Sequence, residues 1–344
     1  ALEYGDMGEI FTIGNEANLC TSDGSRAGLD IGEEISLRHL IFGLMLPSGN
    51  DAAYSIAVHI GRKVTGDSDL SIEESVKTFV ELMNTKAREI GAKDSHFANP
   101  DGYHHDSHYT TAYDMALIAQ SAMANPTFRE IVGTELFTID DWASLHDPEA
   151  EEKEIRYWWN SNSLIQPNSK YHYPHATGIK TGYTSNAKHC LVSSASQGDI
   201  ELIVVVLGAT KPGKWTTTTM LFDYGFDNFE TYKPFRQNQQ IDVLAVDGET
   251  DGYDQVEILV HEPVDMLIPK GRASSIEKEI IWGPEVSVKL EDDGELVSIK
   301  PPILKSQKVG TIAVKLEDKI LASFDLITSK GVQIKDPEPI GKPT

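Results

Sequence analysis

A chain of 344 residues with 40 % apolar and 24 % charged side chains is long for one domain and comfortable for two, each with a real core. Its 53 acidic against 30 basic side chains give a formal charge of -23, which repels phosphate backbones and anionic headgroups, so nucleic acid is excluded as a partner and a solvated acidic surface is the default reading. No run approaches the roughly 18 uninterrupted apolar residues of a membrane span, and Cys20 and Cys190 are too few for a disulfide scaffold.

The opening residues Ala1-Leu-Glu-Tyr-Gly-Asp6 carry neither the basic nor the apolar region of a secretion signal, so a signal for export would have to lie outside this sequence. Asp51 to Ile60 is apolar enough for a buried helix, which sets Ser48-Gly49-Asn50 in the loop ahead of its N-terminus. Ser71-Ile-Glu-Glu74 is a capping box, followed by Ile72, Val76, Phe79, Met83, Ala87 and Ile90 at helical spacing and by Gly91 as a stop. Tyr103-His104-His105-Asp106-Ser107-His108 offers zinc-type ligands, yet adjacent residues rarely converge on one ion and no His-Glu-x-x-His is present, so neither metal nor cofactor is expected. Thr111-Ala-Tyr-Asp114 opens a second helix, through Met115, Ile118, Ala119 and Ala122, that ends at Asn125-Pro126. Both stripes are expected to face a core.

The acidic run Asp147 to Glu154 reads as a solvated loop rather than as paired carboxylates for glycoside cleavage, and Trp158-Trp159 reads as packing ahead of Asn160-Ser-Asn162. His189–Ser196 and Ile200–Leu207 form two strands joined by Gln197-Gly-Asp199, a hairpin signal. The second has so few polar residues that burial on both faces is expected, and Cys190 reads as a core residue of the first. Lys214–Asn228 is a returning helix. After Pro234 the texture becomes short β-like runs (241–246, 255–260, 265–268, 276–282, 296–299, 311–316 and 320–327) broken by Gly, Pro and Asp, the pattern of a small all-β sandwich. The expected domains are residues 1–233 and 234–330, with 331–344 a proline-rich linker or stalk.

Three segments carry a family resemblance: Leu44-Met-Leu-Pro-Ser48-Gly-Asn50-Asp-Ala-Ala53; Phe97-Ala-Asn-Pro-Asp-Gly102 with Tyr109-Thr-Thr-Ala-Tyr-Asp-Met-Ala116; and Gly178-Ile-Lys180-Thr181-Gly182-Tyr-Thr184. In this order and spacing the chain resembles the low-molecular-weight penicillin-binding proteins, the serine-type D-alanyl-D-alanine carboxypeptidases, which share Ser-x-Asn and Lys-Thr-Gly elements with other penicillin-recognising hydrolases. The resemblance implies an α/β (α+β) DD-peptidase/β-lactamase-like domain, with an antiparallel sheet flanked by helices, ahead of the β-rich domain. It implies catalytic roles for Ser48, Asn50 and Lys180, and substrate contacts from Thr181, Gly182, Thr184 and Lys214. A backbone amide at Tyr183 or Thr184 would be one oxyanion donor.

It also implies peptidoglycan stem peptides as substrate, β-lactams as acylating ligands, and a location outside the cytoplasm, in the cell envelope, with membrane anchoring through a segment beyond Thr344. The family's nucleophile, the serine of a Ser-x-x-Lys ahead of Ser48, has no counterpart here. Only Ser185-Asn-Ala-Lys188 and Ser275-Ile-Glu-Lys278 match that spacing, both in the wrong place. The expectation is therefore a chain that lacks its N-terminal segment, is inactive by itself, and exposes Ile200–Leu207 as an unpaired, aggregation-prone edge. The alternatives are a non-catalytic wall-binding protein on the same fold and a β-lactamase.

Overall fold

The computed structural model describes residues 1–140, 155–248, 250, 252–291 and 294–334; the acidic run 147–154 and the tail 335–344 lie outside the described residues. The chain forms two units, Ala1–Asp227 and Asn228–Thr344. The division falls ahead of Pro234 because Phe229–Tyr232 is already a strand of the second unit, paired antiparallel with Met266–Pro269.

The first unit starts with β1 (Ile10–Thr12), β2 (Glu34–Ser36) and the helices α1 (Leu37–Met45), α2 (Asn50–Thr65), α3 (Ile72–Glu89), α4 (Ala112–Met123) and α5 (Pro126–Gly133). The starts of α3 and α4 follow the capping signals, the side chains of Ser71 and Thr111 accepting hydrogen bonds from first-turn amides; Asn125, expected only as the end of α4, also caps α5, which the sequence reading did not foresee. The α3 stripe reaches the core only in part: Ala87 is buried and Phe79 packs against the core cluster, but the remainder of the stripe is half-buried. Ser75, Val80 and Ala87 are buried, whereas Phe79, Met83 and Ile90 are half-buried along an apolar cavity of about 330 Å³. The cause is the crossing of α2 and α3, where a Cβ on Gly61 would lie 2.2 Å from the Ser75 carbonyl oxygen. So close a backbone approach turns the small-residue face of α3 inward.

β3 (Leu136–Ile139) pairs with β4 (Arg156–Trp159), and then β5 (Ala176–Thr184), β6 (Lys188–Gln197) and β7 (Ile200–Ala209) form an antiparallel sheet in that order, followed by α6 (Gly213–Asn228). The predicted hairpin closes at Gly198, whose φ of +60° suits glycine. The sheet lies between two helical layers. Leu191, Val204 and Val206 pack with Trp215, Phe222 and Phe226 of α6, while Val192, Ile203 and Val205 meet Ala119 and Met123 of α4. Fully burying a side chain such as Phe222 contributes on the order of 2 kcal/mol. β7 therefore packs on both faces, but only Val204 and Val206 are buried and Leu207 is exposed. Among the described residues its one paired neighbour is β6. Cys190 is likewise half-buried rather than core.

The second unit is all-β. Besides β8 (Phe229–Tyr232) it contains β9 (Gln240–Val246), β10 (Gln255–Val260), β11 (Met266–Pro269), β12 (Ile276–Trp282), β13 (Val286–Glu291), β14 (Gly294–Ile299), β15 (Lys308–Leu316) and β16 (Lys319–Thr328). Seven of these make one continuous sheet, ordered β12-β15-β16-β10-β9-β14-β13, with a single parallel pair, β14 and β9. Strands from across the sheet share one apolar core that includes Leu244, Val256, Ile258, Val286, Ile312 and Leu326. β8 and β13 are absent from the sequence-based expectation, since neither Phe229-Glu-Thr-Tyr232 nor Val286-Ser-Val-Lys-Leu-Glu291 stands apart from its charged and turn-forming neighbours.

Candidate active site

The Lys180 Nζ donates to Ser48 Oγ at 2.6 Å, joining residues 132 apart in sequence. Its second acceptor is the Thr181 carbonyl, 2.9 Å away. With the Ser48 oxygen accepting from an ammonium, the Ser48 hydroxyl proton is left to face another group. Ser48 itself has a φ of +67°, a region unfavourable for a residue with a Cβ and one in which strained functional residues are found. The next residue fixes this turn. Gly49 N donates to the Gly43 carbonyl at 3.0 Å, and a Cβ at position 49 would come within 2.7 Å of both the Gly43 oxygen and the Ala27 Cβ.

Asn50 is the first residue of α2 rather than part of the preceding loop. Its backbone N–H donates to the Ser25 carbonyl at 2.9 Å, and its side-chain amide lies under Gly24, 2.6 Å from where a Cβ would stand. Asp51, fully buried, was not singled out from the sequence, yet it holds this wall. Its carboxylate accepts from the amides of Ala27 (2.7 Å), Gly28 (2.9 Å), Leu29 (3.1 Å) and Ala52 (3.0 Å), with Arg26 Nε 3.8 Å away. Trp158, buried as a packing residue, donates its indole N–H to the Ala27 carbonyl at 2.9 Å, whereas Trp159 is exposed.

β5 forms the opposite wall. Burial pushes the Lys180 ammonium down to about 8, with the nearby Lys214 charge acting in the same direction. Lys214, in the first turn of α6, is 8 % exposed; its ammonium stands 4.4 Å from the Trp215 ring centre, and burial lowers its pKa as well. Gly182 is exposed, and a Cβ there would meet only the Cys190 Cβ at 3.7 Å, an ordinary contact. The protein itself therefore has room for alanine at this position. The Thr184 hydroxyl oxygen accepts from Ala187 N at 2.9 Å, which ties it into the β5–β6 turn. Ser185 and Lys188 belong to that turn too, where Lys188 Nζ donates to the Ser185 carbonyl at 2.7 Å.

Asn160-Ser161-Asn162, just after β4, spans the two walls. Ser161 N donates to the Leu46 carbonyl (2.9 Å), and its hydroxyl lies 2.8 Å from the Thr181 hydroxyl. Buried Asn160 donates to the carbonyls of Val132 (3.1 Å) and Thr134 (3.0 Å), and buried Asn162 donates to the Gly178 carbonyl (2.9 Å). The histidine-rich loop borders the same region. Tyr103 OH donates to Asp23 at 3.4 Å, His104 Nε2 is 3.2 Å from the Asn186 amide, and His108 Nδ1 accepts from Ala98 N at 3.2 Å. Burial raises the Asp101 carboxyl. Among the described residues no three His, Cys, Asp or Glu side chains are grouped as a metal site would require.

A hydroxyl pressed against a half-buried lysine, on a strand that carries an accessible glycine two residues farther on, is suited to acyl transfer. The sequence comparisons agree: the profile of the D-alanyl-D-alanine carboxypeptidases (peptidase S11) matches residues 4–211. The chain belongs to the D-alanyl-D-alanine carboxypeptidase family. The profile of the penicillin-binding protein 5 C-terminal domain matches residues 229–333. The chain is 30 % identical over 325 residues to the D-alanyl-D-alanine carboxypeptidase DacF of Bacillus subtilis, covering 94 % of this chain and 73 % of that protein. With DacA of Escherichia coli K12 the identity is 29 % over 326 residues, 93 % of this chain and 70 % of the relative. Among solved structures, penicillin-binding protein 5 of Haemophilus influenzae superposes with a TM-score of 0.72 at 28 % identity, over 95 % of this chain and 83 % of that one. The Streptomyces K15 DD-transpeptidase gives 0.56 at 33 % identity, over 65 % and 80 %. The helical and antiparallel-sheet domain followed by an all-β domain is thus the carboxypeptidase-family architecture.

Proposed function

We propose that these residues hold substrate for a serine-type D-alanyl-D-alanine carboxypeptidase that removes the terminal D-alanine of peptidoglycan stem peptides through an acyl-enzyme. The supporting observation is the 2.6 Å contact of Lys180 Nζ with Ser48 Oγ, which unites the two motifs in one cleft. A serine oxygen attacks the carbonyl carbon between the two D-alanines, the C–N bond breaks, and the leaving amine takes up a proton. Water then opens the ester and frees the enzyme. Ser48 relays the proton, because Lys180 occupies a lone pair on its oxygen and leaves its O–H to face the reactants. Lys180 and Lys214 place positive charge where negative charge develops, and Asn50 hydrogen-bonds the substrate amide. Thr181 and Lys214 receive the terminal carboxylate, Gly182 admits the substrate backbone, and the amide near Thr184 serves the oxyanion.

By the family resemblance the attacking serine belongs to a Ser-x-x-Lys element; within residues 1–344 that spacing occurs only at Ser185–Lys188 and Ser275–Lys278, and neither is assigned the role. The protein acts outside the cytoplasm at the cell envelope, and β-lactams acylate it because their strained ring mimics the same dipeptide. The expected result is that the full-length gene product takes a fluorescent penicillin label and releases D-alanine, while residues 1–344 alone turn over neither nitrocefin nor peptide. Turnover by residues 1–344 removes the assignment of the nucleophile. An unlabelled full-length protein favours the wall-binding alternative, and rapid loss of label favours a β-lactamase.

Gly182→Ala separates folding from function. Its Cβ meets only Cys190, so the melting temperature of the full-length variant stays within about 2 °C of the parent. Its acylation rate drops about tenfold or more, because the methyl stands where substrate backbone runs along the strand edge. An unchanged rate assigns the substrate path elsewhere.

A further inference from the structure

Resting on that reading, we infer that Ser161 is a specificity-determining residue: its hydroxyl and that of Thr181 form a paired receptor for the substrate's terminal carboxylate. The two oxygens are 2.8 Å apart, and Ser161 is exposed at the cleft. Its backbone is pinned from three directions: its own N–H to Leu46, Asn160 to Val132 and Thr134, and Asn162 to Gly178. The hydroxyl is thus presented from a fixed frame rather than from a loose loop. The comparable pair Thr177 and Ser194, also 2.8 Å apart, sits farther back on β5 and β6, where Ser194 is buried, and offers no such access.

Two hydroxyls carry two protons. In mutual contact they use one between themselves, whichever oxygen donates, and the other is free. A carboxylate only accepts, so it draws that free O–H into a short, charge-assisted bond and, by breaking the mutual bond, can take both. Lys214 adds positive charge nearby; among the described residues no carboxylate forms an ion pair with it, and its ammonium rests on the Trp215 ring. A terminal carboxylate would accept from these hydroxyls and bring negative charge toward the Lys214 ammonium.

The test uses the full-length protein, a peptide ending in D-Ala-D-Ala, and the same peptide with a C-terminal carboxamide. Ser161→Ala is expected to lower kcat/KM on the free acid about 10- to 100-fold, chiefly through KM, because one hydrogen bond to a charged group is lost. On the carboxamide it changes kcat/KM less than about twofold, and Ser161→Thr, which keeps the hydroxyl, restores most of the loss on the acid. Equal losses on acid and amide overturn the inference in favour of a purely structural residue, and an unchanged acid rate overturns it outright. A parent protein that neither takes a penicillin label nor releases D-alanine defeats the proposed function, and this inference with it. A labelled, active parent with an indifferent Ser161→Ala defeats the inference alone.

Discussion

Full-length protein carrying Lys180→Met takes up a fluorescent penicillin at least about a hundredfold more slowly than the parent, and the parent's own rate falls as pH rises through about 8. The sign follows from the direction of the shift. The Lys180 pKa is pushed down to about 8 by burial and by the Lys214 charge, so Lys180 is ammonium at neutral pH and loses its charge across the range from about 7 to 9. Above that range Ser48 faces a neutral amine, and the positive potential that the proposed mechanism places beside the tetrahedral intermediate is gone. Lys214→Met removes the cationic neighbour and moves the alkaline limb to higher pH, when each variant is normalised to its own plateau. Lys180→Arg keeps the charge and abolishes the limb, at the cost of a poorer fit against Ser48. A Lys180→Met variant whose residual activity retains the limb would assign it to another group.

The capping serine and threonine at positions 71 and 111 were readable because a cap is a local event, decided by residues three apart, whereas Asn125, read only as the stop of α4, also caps the unexpected helix α5. The motifs at Ser48 and Lys180 were readable as motifs, but their meeting across 132 residues came from resemblance rather than from periodicity. Burial was harder to read. Phe79, Met83 and Ile90 have core-like spacing, yet the α2–α3 crossing at Gly61 and Ser75 decides which face turns inward. Ile200–Leu207 is apolar on both faces, and its exposure depends on what stands beside it, which no strand states about itself. Ser161 and Asp51 were missed for a related reason. A lone serine between asparagines, or an aspartate in the first turn of a helix, is ordinary, and their importance lies in partners that are distant in sequence.

Asp51 leads to the largest expected loss of stability. Its carboxylate is fully buried and serves both walls of the Ser48 turn: one oxygen accepts from Ala27 N and Ala52 N, the other from Gly28 N and Leu29 N. Asp51→Ala leaves the Ala27, Gly28 and Leu29 amides without their acceptor; Ala27 and Leu29 are buried, and each buried donor so stranded costs about 1–3 kcal/mol, so a total loss of about 3 kcal/mol is expected in urea unfolding of the full-length protein. Asp51→Asn discriminates further. Because each carboxylate oxygen already faces two N–H donors, either orientation of an asparagine points an NH₂ at N–H groups, and the isosteric change recovers little of the loss. The Ser25–Leu29 segment then loosens, and with it the Ser25 carbonyl that receives Asn50 N and the Ala27 surface against which Gly49 packs. Penicillin acylation therefore falls together with stability, at temperatures well below the melting transition. Asp51→Asn with parental stability and acylation would show that the loop is held by its apolar contacts, Ala27 and Leu29 against the core, and that the buried carboxylate adds nothing to them.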